Sequence, residues 1–184
     1  MLSQIGIFLV DSVVTFFVFL LLTRFLFQWL RVPLRNPAGE FLIAATSWLV
    51  NPVRRVVPSL AGLDLSTLLL AWLLQASGLW VQAALAGAEP ALVAIVGVAL
   101  VDLLRFGVYV LVFALIMQAV LSWVNPYTPL APVFDTFTRP FLRPLRRYVP
   151  PVGNVDLTPL IVLVILQVLL FPLGQLRLLA ATLS

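Results

Sequence analysis

The chain has 184 residues, 62% of them hydrophobic and only 10% charged, with a mean hydropathy of +1.14. A soluble domain carries about a quarter charged residues, so this composition excludes a water-dispersed globule and names a bilayer as the solvent. The net charge of +4 comes from 11 basic residues, all arginine, and no basic run stands apart from apolar flanks, so no nucleic-acid partner is expected.

Missing residue types narrow the chemistry further. Without cysteine there is no thiolate nucleophile, disulfide or thiolate metal site. Without histidine there is no imidazole base or ligand, and without lysine no Schiff base. No catalytic residue, metal or cofactor is expected, and an enzyme is not the expected reading.

A helix needs about 20 apolar residues to cross the hydrocarbon core. The first stretch runs from Leu2 to Leu30, broken by Asp11 and Arg24. It lacks a basic flank and is too long for a cleaved signal, so it reads as a retained span. A linker follows with Arg31, Arg35, Arg54 and Arg55, then a second span from Leu65 to Ala86. The connection at Gly87–Pro90 carries only Glu89. The third stretch, Ala91 to Val124, holds Asp102 and Arg105 and is overlong for one straight crossing. It either tilts strongly or breaks near Val101–Asp102. A second linker carries Arg139, Arg143, Arg146 and Arg147, and the fourth span covers Leu157 to Leu176. Arginine bias places both linkers in the cytoplasm and both termini in the periplasm, with Arg177 dissenting.

Internal similarity organises these pieces. Shifting the chain by 92 lays Thr46–Gln75 over Thr138–Gln167, with 11 of 30 positions identical. The shared skeleton is P-x-R-R-x-V-P, five residues, then D-L entering an apolar helix. Asp11 and Asp102 stand about ten apolar residues into spans one and three, with small gaps needed to align them. The expected fold is therefore all-α: four transmembrane helices in two parallel tandem repeats, residues 1–86 and 91–184, each with an interfacial amphipathic segment. Where the copies meet, Gln75 with Gln167 and Asp11 with Asp102 are the pairs expected to line a site.

Each doublet follows a short amphipathic stretch: Phe134, Phe137, Phe141 and Leu145 make one apolar stripe, and Phe41, Ala45 and Trp48 a weaker one. Pro140 and Pro144 argue against a continuous helix there. The prolines Pro52, Pro58, Pro144, Pro150 and Pro151 stiffen the turn after each stretch. Asp64 and Asp156 stand where an aspartate caps a helix, and each can ion-pair with the arginines of its own copy. Two readings of Arg54, Arg55, Arg139, Arg143, Arg146 and Arg147 stay open: topology anchors, or a docking site for anionic headgroups or a protein partner. Asp102 and Arg105, one turn apart, form either a structural ion pair or an element of an ion path. Gln28, Gln75, Gln118 and Gln167 read as interhelical hydrogen-bond glue, and Ala94, Gly97 and Ala99 as a close-packing face.

The duplicated P-V-R-R-V-V-P-x5-D-L-S and P-L-R-R-Y-V-P-x5-D-L-T-P segments resemble the YggT family of bacterial membrane proteins. Leu121-Ser122-Trp123, the Asn36-Pro37 and Asn125-Pro126 pairs, and Arg-Pro-Phe-Leu-Arg-Pro before the second doublet fit it too. The glycine pair usual before the aspartate is replaced here by Ala61-Gly62 and Gly153-Asn154. The resemblance implies a multi-pass protein of the bacterial inner membrane with plastid relatives. It also implies links to osmotic and potassium homeostasis, cell division or envelope organisation, and to cytochrome assembly in plastids. The function expected is a non-enzymatic scaffold or assembly factor acting through its arginine-rich linkers, with a protein partner, membrane lipids and a second copy of the chain as the candidate partners. The competing expectation is a channel or transporter component.

Overall fold

A computed structural model describes residues 2–57, 63–125, 127–149 and 156–182. The described part is all-helical: α1 (Leu2–Trp29), α2 (Pro37–Arg54), α3 (Leu65–Leu85), α4 (Leu92–Val124), α5 (Ala131–Arg146) and α6 (Thr158–Ala181). Helices α1, α3, α4 and α6 are long and apolar enough to cross a membrane. They are apolar around their whole circumference, which suits lipid on one side and protein on the other. The end carrying α2, α5 and their loops is called the linker end; the other, with the α3–α4 connection, is the turn end.

The third span is one unbroken helix through Val101 and Asp102. Its 33 residues reach about 50 Å at the α-helical rise, well beyond a core of about 30 Å. The fourth span runs on past Leu176, through Pro172, to Ala181.

The shorter helices correct two expectations. Helix α5 stays continuous through Pro140 and Pro144 because both prolines lie on its exposed face. The carbonyls they deprive of a partner lie on that same face, where water or headgroups can satisfy them. The buried face of α5 carries the expected stripe, whereas that of α2 differs from it. In α2, Leu42, Thr46 and Val50 point inward while Phe41 and Trp48 are exposed; in α5, Val133, Phe137, Thr138 and Leu142 point inward, with Phe134, Phe141 and Leu145 flanking them. Each inward row includes a threonine. A hydrophobicity pattern assigns threonine to the polar side and so turns α2 the wrong way. The prolines expected to stiffen the following turns, Pro58, Pro150 and Pro151, lie outside the described residues, as do Ala61-Gly62 and Gly153-Asn154.

Helix α1 packs mainly on α3, and α4 on α6. The first pair comes closest at Gly78, where a Cβ would lie 2.8 Å from Val14 Cγ1. The halves meet where α4 packs against α1 and α3, and aromatic contacts tighten the seam. Phe19 meets Phe113 at 5.9 Å between centroids, and Phe27 meets Phe137 at 5.5 Å. Ala94 and Ala99 are buried on α4, as expected of a close-packing face.

Local signals set the helix ends. Asn36 caps α2, its Oδ1 accepting from Gly39 N at 2.9 Å. Asn125, after α4, accepts from Tyr127 N at 3.1 Å. Helix α1 ends in a Schellman turn: Val32 N donates to Phe27 O at 2.8 Å, and Arg31 N to Gln28 O at 3.1 Å. The turn demands a left-handed residue, and Arg31 supplies it at φ 56°, where glycine would be unstrained. Replacing Arg31 with glycine is expected to raise stability in detergent by about 0.5–1 kcal/mol. Gly39→Ala is expected to lower it by about 2 kcal/mol or more, because the new Cβ would collide with the backbone of Leu34. Thermal unfolding of the purified variants checks both signs; a destabilised Arg31→Gly protein would show that the arginine side chain makes a contact outweighing the strain.

Candidate functional site at the linker end

Each arginine doublet closes its amphipathic helix, with Arg55 and Arg147 at the C-cap positions of α2 and α5. In the first half Arg54 Nη2 donates to Asp64 Oδ2. Asp64 is the N-cap of α3 and is only 2% exposed. It also accepts from Thr67 Oγ1 at 2.7 Å and from Thr67 N at 3.4 Å. In the second half Arg146 Nε donates to Asp156 Oδ2 at 2.9 Å, and Thr158 N to Asp156 Oδ1 at 2.9 Å. Both aspartates thus meet the expectation of ion pairs within their own copy.

The two clamps are not equal. Asp156 has 39% of its side chain exposed, and Leu157 rather than Asp156 is the N-cap of α6. Pro159 stands where the first half has Thr67. Proline offers neither an N–H nor a hydroxyl, so the grip that holds Asp64 at that position cannot form.

Burial opposes ionisation of Asp64, yet the Thr67 hydroxyl and the Arg54 guanidinium outweigh it and hold the carboxyl below its ordinary range. The same balance holds Asp156 low, with burial opposed by Thr158 and then by Arg146. One arginine of each doublet is thereby fixed and neutralised. Arg55, Arg143 and Arg147 are exposed and have no carboxylate partner among the described residues, while Arg139 pairs with Asp135 at 3.0 Å. Both doublets lie at the linker end, and among the described residues no hydrogen bond joins one to the other.

Behind the clamps each half carries a buried threonine tie. Thr46 Oγ1 accepts from Arg24 Nη1 at 2.7 Å, and Thr138 Oγ1 donates to Gln118 Oε1 at 2.6 Å. Gln118 further donates to Asp135 Oδ1 at 3.3 Å, so it does serve as interhelical glue. Arg24 is only 4% exposed; its other partner is Ser47 Oγ at 3.3 Å, its Nε is unpartnered, and no described carboxylate pairs with it. Sequence reading passed over Arg24 and both threonines. The available signal was position: Arg24 and Gln118 each stand five residues before a tryptophan, and Thr46 and Thr138 open the duplicated window.

The intramembrane polar residues do not pair across the repeats. Asp102, 5% exposed, accepts from Gln75 Nε2 at 3.1 Å, from Arg105 Nη1 at 3.4 Å and from Arg177 Nε at 2.7 Å. Gln167 is exposed, and Asp11 accepts from Gln82 Nε2 at 3.3 Å on the surface. The expected pairs Gln75–Gln167 and Asp11–Asp102 therefore do not meet. Their equivalence is one of sequence position, whereas contact depends on the facing helix, and α4 brings Asp102 against α3 and α6. Arg177, read as a stray tail charge, is the strongest partner of Asp102. A cavity of about 870 Å³ opens nearby, lined by apolar side chains from both halves. None of these five polar candidates lines it.

The family model described as CCB3/YggT matches residues 3–85 and again residues 97–177. An uncharacterized protein of Pseudomonas aeruginosa is 30% identical over 178 residues, covering 91% of this chain and 87% of the relative. An uncharacterized protein from the proC 3' region of Vibrio alginolyticus is 29% identical, covering 91% and 92%. The uncharacterized protein YggT of Escherichia coli is 29% identical, covering 88% and 85%. No solved structure matches significantly. The chain belongs to the CCB3/YggT family.

The unequal clamps predict unequal consequences. Arg54→Ala strands a buried carboxylate and is expected to cost about 2–3 kcal/mol, whereas Arg146→Ala removes an exposed pair worth under about 1 kcal/mol. Because both carboxyls lie below their ordinary range, their contribution is complete above the unfolded-state value, 3.8. It is lost as the pH falls through the lower folded-state values. Unfolding midpoints of the two variants from pH 7 down to pH 3 check this. Equal losses, or stability that rises below pH 4, would contradict the asymmetry.

Proposed function

We propose that this member of the CCB3/YggT family is a non-enzymatic membrane scaffold that docks an acidic partner segment at the linker end. One observation carries the reading. Each half spends one arginine on a clamp to the next span and leaves Arg55 or Arg147 exposed beside it, with no carboxylate partner among the described residues. A clamp that immobilises the first guanidinium also fixes the backbone from which the second projects. Topology alone needs positive charge, not a held arginine next to a free one in both halves. Arginine's planar fork suits carboxylate recognition at such a surface.

The arginine bias supports placing this end in the cytoplasm of a bacterial inner-membrane protein. Acidic partner segments and anionic headgroups would then reach Arg55, Arg143 and Arg147 together. Conduction, the competing reading, gains little from the geometry. Asp102 is engaged by two arginines and a glutamine, and Asp11 and Gln167 stand on exposed helix surfaces. The sequence has no cysteine, so single introduced cysteines report orientation cleanly. Tyr148→Cys is expected to resist impermeant thiol reagents in intact cells, and Ala88→Cys to react with them. The opposite pattern would place the arginines outside and remove the reading.

The docking itself is tested by a photocrosslinking residue at Tyr148, which is 84% exposed. In living cells it should yield discrete protein adducts. These should fall at least tenfold in the Arg55→Gln, Arg143→Gln, Arg147→Gln triple variant and persist in Arg105→Gln. Adducts unchanged in the triple variant would sink the proposal. Potassium flux in sealed liposomes, lost in Asp102→Asn, would instead make conduction the function.

A further inference from the structure

The cavity between the halves has a shape and a setting that identify an occupant. Its wall runs along α4 from Leu100 to Leu111, about 16 Å at the α-helical rise and half of a hydrocarbon core of about 30 Å. On α1 and α3 it extends to the linker end, where Trp29, Leu30 and Leu65 form its mouth with Phe141 of α5. At the inner end, one turn beyond Trp72, the Gln75–Asp102 hydrogen bond ties α3 to α4. The space is thus one leaflet deep and opens at the arginine-bearing end. Trp29, Leu104 and Leu169 in its wall remain about half exposed, and water does not stably fill so apolar a space.

Two further observations point to a ligand. Gly107 stands in this wall in the middle of α4, where a Cβ would meet nothing within 4 Å. Neither close packing nor backbone conformation calls for glycine there, and glycine weakens the helix. What it leaves is open space. At the mouth, charge is complementary to an anion. Arg31 directly follows Leu30, and Arg55 precedes Val57 by two residues. Both are exposed, with no carboxylate partner among the described residues.

We infer that the chamber holds one acyl chain of an anionic membrane phospholipid, with its phosphate between Arg31 and Arg55. The chain meets a wall that hydrocarbon wets, and the headgroup meets guanidiniums at the depth where a leaflet places its phosphates. The inference goes beyond docking of a partner, because it depends on the chamber and not on Arg147 or on any protein.

The test uses the full-length protein in mild detergent, delipidated and then supplied with phosphatidylglycerol or phosphatidylethanolamine of identical chains. Phosphatidylglycerol is expected to raise the melting temperature by about 5 °C, and phosphatidylethanolamine by less than half of that. Native mass spectrometry should show one retained phosphatidylglycerol. Gly107→Phe, which fills the chamber, should abolish both retention and shift while melting at or above the lipid-free wild type. Should phenylalanine prevent folding, Gly107→Leu gives the same test with a smaller side chain. The Arg31→Gln, Arg55→Gln double variant should reduce the phosphatidylglycerol shift to the phosphatidylethanolamine level. Equal shifts for wild type and the filled chamber would overturn the inference. So would equal shifts for the two lipids, a co-purified neutral isoprenoid, or a lipid-free dimer covering the opening. Tyr148 crosslinks that survive in Gly107→Phe separate this inference from the docking reading.

Discussion

The arrangement depends on one constraint: a charge placed beside hydrocarbon must be met by another polar group of the same chain. In each half that requirement joins the amphipathic helix to the following span through an arginine–aspartate pair. The aspartate serves twice, as counter-ion to the guanidinium and as acceptor for amide groups at the helix entrance. The buried threonines Thr46 and Thr138 complete the joint by binding the same helices back to α1 and α4.

Much of this was visible in the sequence, and for identifiable reasons. Span positions follow from apolar length, which the bilayer makes nearly deterministic. The clamps follow from the fixed ten-residue interval between Arg54 and Asp64, kept between Arg146 and Asp156. A ten-residue interval keeps the two groups within reach, and their opposite charges favour the contact. The contacts of Asp102 lay beyond such reasoning, because Arg177 is 75 residues away and reaches it only through the register of α4 on α6. The same holds for Arg24 and Thr46, which meet because of how α1 and α2 cross. The face of α2 was misjudged where Thr46, polar by composition, proved to be an inward anchor.

Divergence between the halves is chemically specific. In the first, Thr67 lets Asp64 sink out of solvent, while Arg24 is buried against hydroxyls alone. In the second, Pro159 keeps Asp156 near the surface, and the position equivalent to Arg24 is the neutral Gln118, anchored by Asp135. The first half therefore confines two arginines with one aspartate near the linker end, and the second balances its buried ties without net charge. A duplicated fold has kept its clamps and altered what lies behind them.

That asymmetry bears on how the linker end meets its surroundings. A buried, unbalanced guanidinium draws negative charge toward the first half, and screening over the few ångströms of a low-dielectric joint is weak. The exposed arginines nearest that half, Arg31 and Arg55, adjoin in sequence the chamber-lining Leu30 and Val57, whereas Arg147 belongs to the neutral half. Anionic groups should therefore concentrate at the seam between the halves rather than spread evenly over both doublets. A headgroup held there would leave Arg147 as the arginine free for protein contact. The two arginine doublets, identical in sequence, would then serve different partners because the residues beneath them differ.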